Sequence, residues 1–267
     1  MNEPTPALPL APATARRLSG HPLLLFLDVD GTLSPIAPHP GHAVVPDETR
    51  RILSELAAIP EVYVVVVTGR GAEDGRRLVG VAAAWVIGNH GIEVAPPNRT
   101  ASARDDVAHF EHKIDEASKR AQRFAEEPGR EGVFVENKRW TISVHYRQAN
   151  QRVLPELTDE MTRIAGDLGL RLTTGKEVLE LRPPVEVDKG TAAVELAATL
   201  GAMHDGAALL AAGDDRTDED MFRVLRAQQP RAVTVRVGVG VETAAEFCVE
   251  DTDAMRELLA GVLALYR

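Results

Sequence analysis

The chain has 267 residues, 44% of them apolar and 26% charged, which is enough to bury the core of one large domain or two smaller ones. A net charge of −10 leaves no broad basic surface, which excludes nucleic acid and anionic membrane as expected partners. A lone cysteine, Cys248, excludes an internal disulfide framework or a thiolate metal cluster and reads as a small apolar filler.

Residues 1–22 are rich in Ala, Pro and Thr, lack any helical or strand period, and are expected to form a frayed tail. They lack the basic start and long apolar run of a secretory signal. No apolar stretch approaches the roughly 18 residues of a membrane span, so the expectation is a soluble, cytoplasmic protein. Leu23–Leu27 is the first short continuous apolar run, and Asp28-Val29-Asp30-Gly31-Thr32 follows it directly. A helix-like stretch, Asp47–Ala58, precedes a second run, Val62–Val67, which stops at Thr68-Gly69-Arg70. A third run, Ala84–Ile87, stops near Asn89 and His90. Lys189-Gly190 then opens a helix-like stretch over Thr191–Leu200. Ala207–Ala212 ends at Asp214 and Asp215, and Val233–Val237 is the last run. Such runs suit strands buried on both faces, and their alternation with helices predicts a doubly wound, Rossmann-like α/β domain with a parallel sheet.

The segment from Asp106 to Pro184 has a different pattern. Val107, Phe110, Ile114, Ala117, Ala121 and Phe124 recur at helical spacing. Strand-like Val133–Glu136 and Thr141–His145 follow, then a helix-like stretch over Pro155–Leu168, then Leu170–Thr173 and Val178–Leu181. This predicts a smaller α+β module, residues 106–184, inserted into a core formed by 23–105 and 185–267.

In an open parallel sheet the carboxyl ends of the strands converge on one crevice, so the residues that end these runs can meet in a single acidic site. Asp28 and Asp30, two apart on an extended chain, face the same side. Carboxylates held this close require a cation, and hard oxygen ligands favour Mg²⁺. Thr68 offers a hydroxyl and Lys189 a positive charge, which together with a metal are what a phosphoryl group needs. Within Gly213–Phe222, Glu219 and Asp220 read equally well as acids decorating a helix N-terminus.

Taken in order, Asp28–Thr32, Thr68, Lys189 and Asp214–Asp215 resemble the motif set of the haloacid dehalogenase phosphatase superfamily. A DxD pair alone would be weak, since metal-dependent glycosyltransferases carry one too. Leu33-Ser34-Pro35-Ile36, Gly88-Asn89-His90-Gly91, Glu136-Asn137-Lys138, Val144-His145-Tyr146-Arg147, Gly175–Glu180 and Gly213–Phe222 narrow the resemblance to the trehalose-phosphate phosphatase family, from about Pro22 onward. Thr68, where that family commonly has Ser, is the one departure.

The resemblance implies an enzyme that hydrolyses trehalose 6-phosphate through an aspartyl phosphate on Asp28, with Asp30 as general acid and base and Thr68 and Lys189 on the phosphoryl oxygens. It implies Mg²⁺ at Asp28, Asp30 (through its main-chain carbonyl) and Asp214, with Asp215 close behind. The inserted module becomes a cap that selects the substrate through Glu136, Lys138, His145, Arg147, Lys176 and Glu180. On residues alone these read rather as cross-strand charge pairs on a solvated sheet face. Arg70 joins the substrate-binding set by its place at a catalytic strand end; its role, like those of His90 and Asp218, stays open. A related phosphatase of another sugar phosphate and a non-catalytic sugar-phosphate sensor are the rival readings.

Overall fold

The computed structural model describes residues 4–175, 177–240 and 242–267. It divides into two compact units, one made of residues 1–102 with 187–267 and the other of residues 103–186.

The first unit begins with β1 (Thr5–Pro6) and α1 (Pro12–Leu18). The expected frayed tail is therefore corrected over its described part. Thr5 and Pro6 pair with a C-terminal strand, and Leu18 is fully buried in the core. Arg17 fixes the helix with a bidentate pair to Glu246 at 2.7 Å. Elements this short are held by tertiary contacts rather than by periodicity, which is why no pattern announces them.

The chain continues through β2 (Leu23–Leu27), α2 (Asp47–Ala57), β3 (Val62–Val67), α3 (Ala72–Val79), β4 (Trp85–Gly88), β5 (Glu93–Ala95) and β6 (Ser102–Ala103). The second unit carries α4 (Glu111–Ala125), β7 (Phe134–Asn137), β8 (Ile142–His145), α5 (Leu154–Leu168), β9 (Arg171–Gly175) and β10 (Val178–Arg182). The first unit resumes with α6 (Lys189–Thr199), β11 (Ala208–Gly213), α7 (Arg216–Gln228), β12 (Val233–Val237), β13 (Phe247–Val249) and α8 (Thr252–Ala264).

The large sheet has the order β1-β13-β12-β11-β2-β3-β4-β5-β6. Its pairs from β1 to β4 are parallel, and β4–β5 is antiparallel. Every residue of β2 and β11 is buried, as strands covered on both faces must be. The order places β2 between β11 and β3, with Leu27 opposite Ala212 on one side and Val66 on the other. Consequently the residues that follow these three strands emerge side by side.

The smaller sheet is antiparallel, in the order β7-β8-β10-β9. Ile142, Val144, Leu179 and Leu181 cover one face with Ile114, Ala117, Leu157, Met161 and Ile164 of α4 and α5. This alternation sends Glu136, Ser143, His145 and Glu180 to the other face. Among the described residues, no helix is long and apolar enough to cross a membrane.

Candidate active site

Asp28 leaves β2 with its amide donating to Ala212 O of β11 at 3.0 Å, so the sheet ladder itself sets its position. The chain then folds tightly. Gly31, Leu33 and Ser34 close hydrogen bonds of 2.7–2.9 Å within residues 29–34. Gly31 has φ +90°, and a Cβ there would lie 2.2 Å from Asp214 Oδ2. A side chain at this point would both strain the turn and displace the neighbouring acid.

Three carboxylates, those of Asp28, Asp214 and Asp218, converge with ligand oxygens within 4.8 Å of one another. Asp28 is 5% exposed and Asp218 is fully buried. Lys189 lies between them, 2% exposed, and donates to Asp28 Oδ1 at 2.7 Å and Asp218 Oδ1 at 2.8 Å. It belongs to the first turn of α6, which starts two residues earlier than the sequence pattern indicates. Asp188 caps that helix through the amide of Thr191, and Thr191 returns the bond to Asp188 N.

The electrostatics follow from burying so many charges together. Burial would lower the Lys189 pKa, but Asp218 and Asp28 outweigh it and hold the ammonium charged. Burial raises Asp28 well above the ordinary range; Lys189 opposes this while Asp218 and Asp215 add to it. Asp218 is raised for the same reason. Asp214 is pushed up to about 6, by burial first and then by repulsion from Asp215.

Asp215, expected close behind the metal ligands, is tied to α7 through one of its oxygens. Its Oδ1 caps α7, accepting from Thr217 N at 2.8 Å, Thr217 Oγ1 at 2.7 Å and Asp218 N at 3.1 Å. Burial opposes its ionisation, yet Lys189 and these hydrogen bonds hold it well below the usual carboxylate range. The third acid of the cluster around Asp28 and Asp214 is Asp218, one turn into α7. Its Oδ2 accepts from the amides of Asp214 and Asp215 at 3.0 and 3.1 Å. Its sequence signal is the D-x-x-D spacing of a capping box, which reads equally well as helix decoration. Glu219 is buried too, and takes Thr243 Oγ1 at 2.7 Å and Ala244 N at 2.6 Å, bracing a loop beyond β12.

Thr68 follows β3, is 1% exposed, and its Oγ1 accepts from Arg70 N at 3.1 Å. Because that bond uses the hydroxyl as acceptor, its proton is left to donate elsewhere. Beyond β4, Asn89 and His90 hold φ of 48° and 55°, and the His90 ring lies against Gly69, where a Cβ would sit 2.5 Å from it. Arg70, placed with the substrate-binding set by its position at a strand end, is engaged with acids of its own unit. It is 9% exposed, and its guanidinium grips Asp30 through Nε–Oδ2 and Nη2–Oδ1 contacts of 2.7 Å each. It also donates to Asp74 Oδ2 at 2.9 Å and to Pro40 O at 2.8 Å.

In the second unit, Glu136, Lys138, His145 and Glu180 share the polar side of the small sheet. His145 Nε2 is 3.1 Å from Glu136 Oε2, and Lys138 Nζ is 3.4 Å from Glu180 Oε1. Two residues there escaped the sequence reading: Ser143, which donates to Glu180 Oε1 at 3.2 Å, and Phe134, stacked on the His145 ring at 5.8 Å. Arg147 lies beyond β8 and pairs with Glu177 at 2.7 Å. Tyr146 packs on the apolar core, as its alternation with His145 requires. Lys176 lies outside the described residues.

Chemically, the first unit presents a buried carboxylate held by an ammonium, a second acid beside it, and a surplus of negative charge. Comparison with known proteins points the same way. The sequence matches the trehalose-phosphatase family over residues 26–253. It is 32% identical over 263 residues to a probable trehalose-phosphate phosphatase D of Arabidopsis thaliana, covering 95% of this chain and 70% of that one. Among solved structures, a trehalose-6-phosphate phosphatase related protein superposes with a TM-score of 0.78 at 27% identity, covering 91% of this chain and 97% of that one. The Aspergillus fumigatus trehalose-6-phosphate phosphatase superposes with a TM-score of 0.67 at 26% identity, over 97% and 99% of the two chains. A family match that spans both units, on a fold whose strand ends gather these acids and this lysine, makes the chain a phosphoric monoester hydrolase and a member of the trehalose-phosphatase family.

Proposed function

We propose that this phosphatase hydrolyses trehalose 6-phosphate to trehalose and phosphate, with Asp28 as nucleophile and Mg²⁺ as the metal. The observation that carries the mechanism is the setting of Asp28. Among the described residues its one hydrogen-bond donor is Lys189, which takes Oδ1 and leaves Oδ2 for attack on phosphorus.

The acids fit a divalent cation. Asp28, Asp214, Asp215 and Asp218 are four carboxylates around one lysine, and burial penalises their charge. Hard carboxylate oxygens suit Mg²⁺. Asp28 and Asp214 would hold it together with the main-chain carbonyl of Asp30. Asp218, with one oxygen on Lys189 and the other on two amides, orients the group. When bound, the ion neutralises charge on the phosphoryl oxygens.

The residues then divide the work in two steps. Asp28 Oδ2 bonds to phosphorus while the bond to the sugar O6 breaks, and the Asp30 carboxyl gives its proton to that oxygen. In the second step the Asp30 carboxylate takes a proton from water as its oxygen bonds to phosphorus, and the Asp28–phosphorus bond breaks. Throughout, Lys189 and the Thr68 hydroxyl steady the phosphoryl oxygens. We assign the unit of residues 103–186 as the specificity cap. Its polar sheet face, with Glu136, Lys138, Ser143, His145 and Glu180, supplies paired donors and acceptors of the kind a neutral disaccharide needs. Phe134 adds an aromatic surface.

The test is phosphate release from a panel of sugar phosphates with and without Mg²⁺. Trehalose 6-phosphate should be preferred over glucose 6-phosphate and sucrose 6-phosphate by at least ~100-fold in kcat/KM, and only with metal. Preference for another sugar would overturn the cap assignment, and release without any divalent ion would overturn the metal assignment.

A pH prediction follows from Asp214. Its folded pKa is raised to about 6, whereas an unfolded aspartate titrates near 4. The folded state therefore binds more protons in this window, and Asp214 takes stability away as the pH rises through it. A divalent cation stabilises the ionised form. Addition of Mg²⁺ should raise Tm little at pH 5 and clearly more at pH 8; an increment independent of pH would contradict the site.

A further inference from the structure

The ion pair between Arg70 and Asp30 carries an inference about how the proton donor is held. Asp30 has a side chain 40% exposed, and among the described residues Arg70 is its sole hydrogen-bonding partner, engaging both carboxylate oxygens at 2.7 Å. Arg70 is itself held at its guanidinium by two further partners. Its side chain is only 10% exposed, Asp74 of α3 binds Nη1, and Pro40 O binds Nη2. Its own amide is tied to Thr68 Oγ1, and its carbonyl accepts from Asn89 N at 2.8 Å.

A planar guanidinium that takes both oxygens of a carboxylate fixes the plane of that carboxylate as well as its position, which a lysine cannot do. Without that grip, a side chain so exposed would sample rotamers directed to solvent. The grip must also be partly released, because an oxygen on Arg70 cannot at the same time donate a proton to a leaving group. Asp74 makes this release inexpensive: the guanidinium keeps a carboxylate partner and the Pro40 carbonyl when one Asp30 oxygen turns away. We propose that Arg70 is a positioning residue for proton transfer, holding the Asp30 carboxyl in register with the leaving oxygen while Asp74 and Pro40 hold Arg70. This rests on the reading of Asp30 as general acid given above.

The test measures kcat/KM with Mg²⁺ across aryl phosphates of rising leaving-group pKa, together with trehalose 6-phosphate. It compares the wild type with Arg70→Met, Arg70→Lys and Asp30→Asn. kcat/KM reports through departure of the leaving group, so loss of proton donation appears as a steeper dependence on leaving-group pKa. Asp30→Asn should steepen it fully. Arg70→Met should steepen it too, losing ~10–100-fold on poor leaving groups and much less on 4-nitrophenyl phosphate. The double variant Arg70→Met/Asp30→Asn should lose no more than Asp30→Asn alone on poor leaving groups. Arg70→Lys keeps the buried charge and should fall between, which decides the matter should Arg70→Met not fold. An equal loss on every substrate, or an unchanged slope beside a steepened Asp30→Asn, would overturn the role of Arg70 and leave the proposed chemistry standing. An unchanged slope in Asp30→Asn would overturn both.

Discussion

Replacing Asp28 by Asn is expected to lower kcat for trehalose 6-phosphate by at least ~10⁴-fold, because an amide oxygen cannot replace the attacking carboxylate. The loss should be almost entirely in turnover. Asn is nearly isosteric and its Oδ1 can still accept from Lys189, which keeps its second partner in Asp218. The variant should therefore fold and bind substrate. Calorimetric binding beside undetectable phosphate release would separate a nucleophile from a residue that merely holds the substrate. Retention of even a tenth of the activity would contradict the assignment.

Lys189→Met should have the largest structural effect. Lys189 is 2% exposed and lies between two acids that are themselves buried. Removing one partner of a buried ion pair leaves an uncompensated charge, at a cost of about 3–5 kcal/mol. The loss should be read as a drop in Tm of the metal-free protein, with kcat of the metal-loaded enzyme down by ~10²–10³-fold. Adding Asp218→Asn removes part of the stranded charge, so the double variant should recover stability without recovering activity. A Lys189→Met protein as stable as the wild type would mean that the lysine is not the counter-ion it is taken to be.

How much of this was legible in the sequence depends on the kind of signal. Continuous apolar runs gave β2 and β3 to the residue, since a strand buried on both faces has nothing else to show, while β12 is marked by its alternating valines. That Asp28, Thr68 and Asp214 lie at the ends of such runs was equally visible. Their adjacency comes from the order β11-β2-β3, which a doubly wound sheet makes the natural expectation. The short strands β5 and β13 carry three residues each, too few for any period to register. Asp218 was hidden for another reason. An acid in the first turn of a helix is favoured there by the helix dipole alone, so only its burial beside Lys189 distinguishes it from Glu219 and Asp220. With Arg70, the i,i+4 relation to Asp74 can be read from the chain. The grip on Asp30, forty residues earlier, comes from the placement of β2 beside β3. The polar face of the small sheet was half legible: the resemblance marked Glu136, His145 and Glu180, whereas Ser143 became evident only as the cross-strand neighbour of both glutamates.

The most direct test of the central claim, that Asp28 is phosphorylated in turnover, uses Asp30→Asn with 4-nitrophenyl phosphate and Mg²⁺. That substrate leaves without a donated proton, while the second step lacks its base, so the phosphorylated enzyme should accumulate. A burst of about one nitrophenolate per active chain is predicted, with one phosphoryl group on the peptide containing Asp28, and neither should occur when Asp28→Asn is added. Steady release of nitrophenolate with no burst and no adduct, or an adduct on any other residue, would contradict the account.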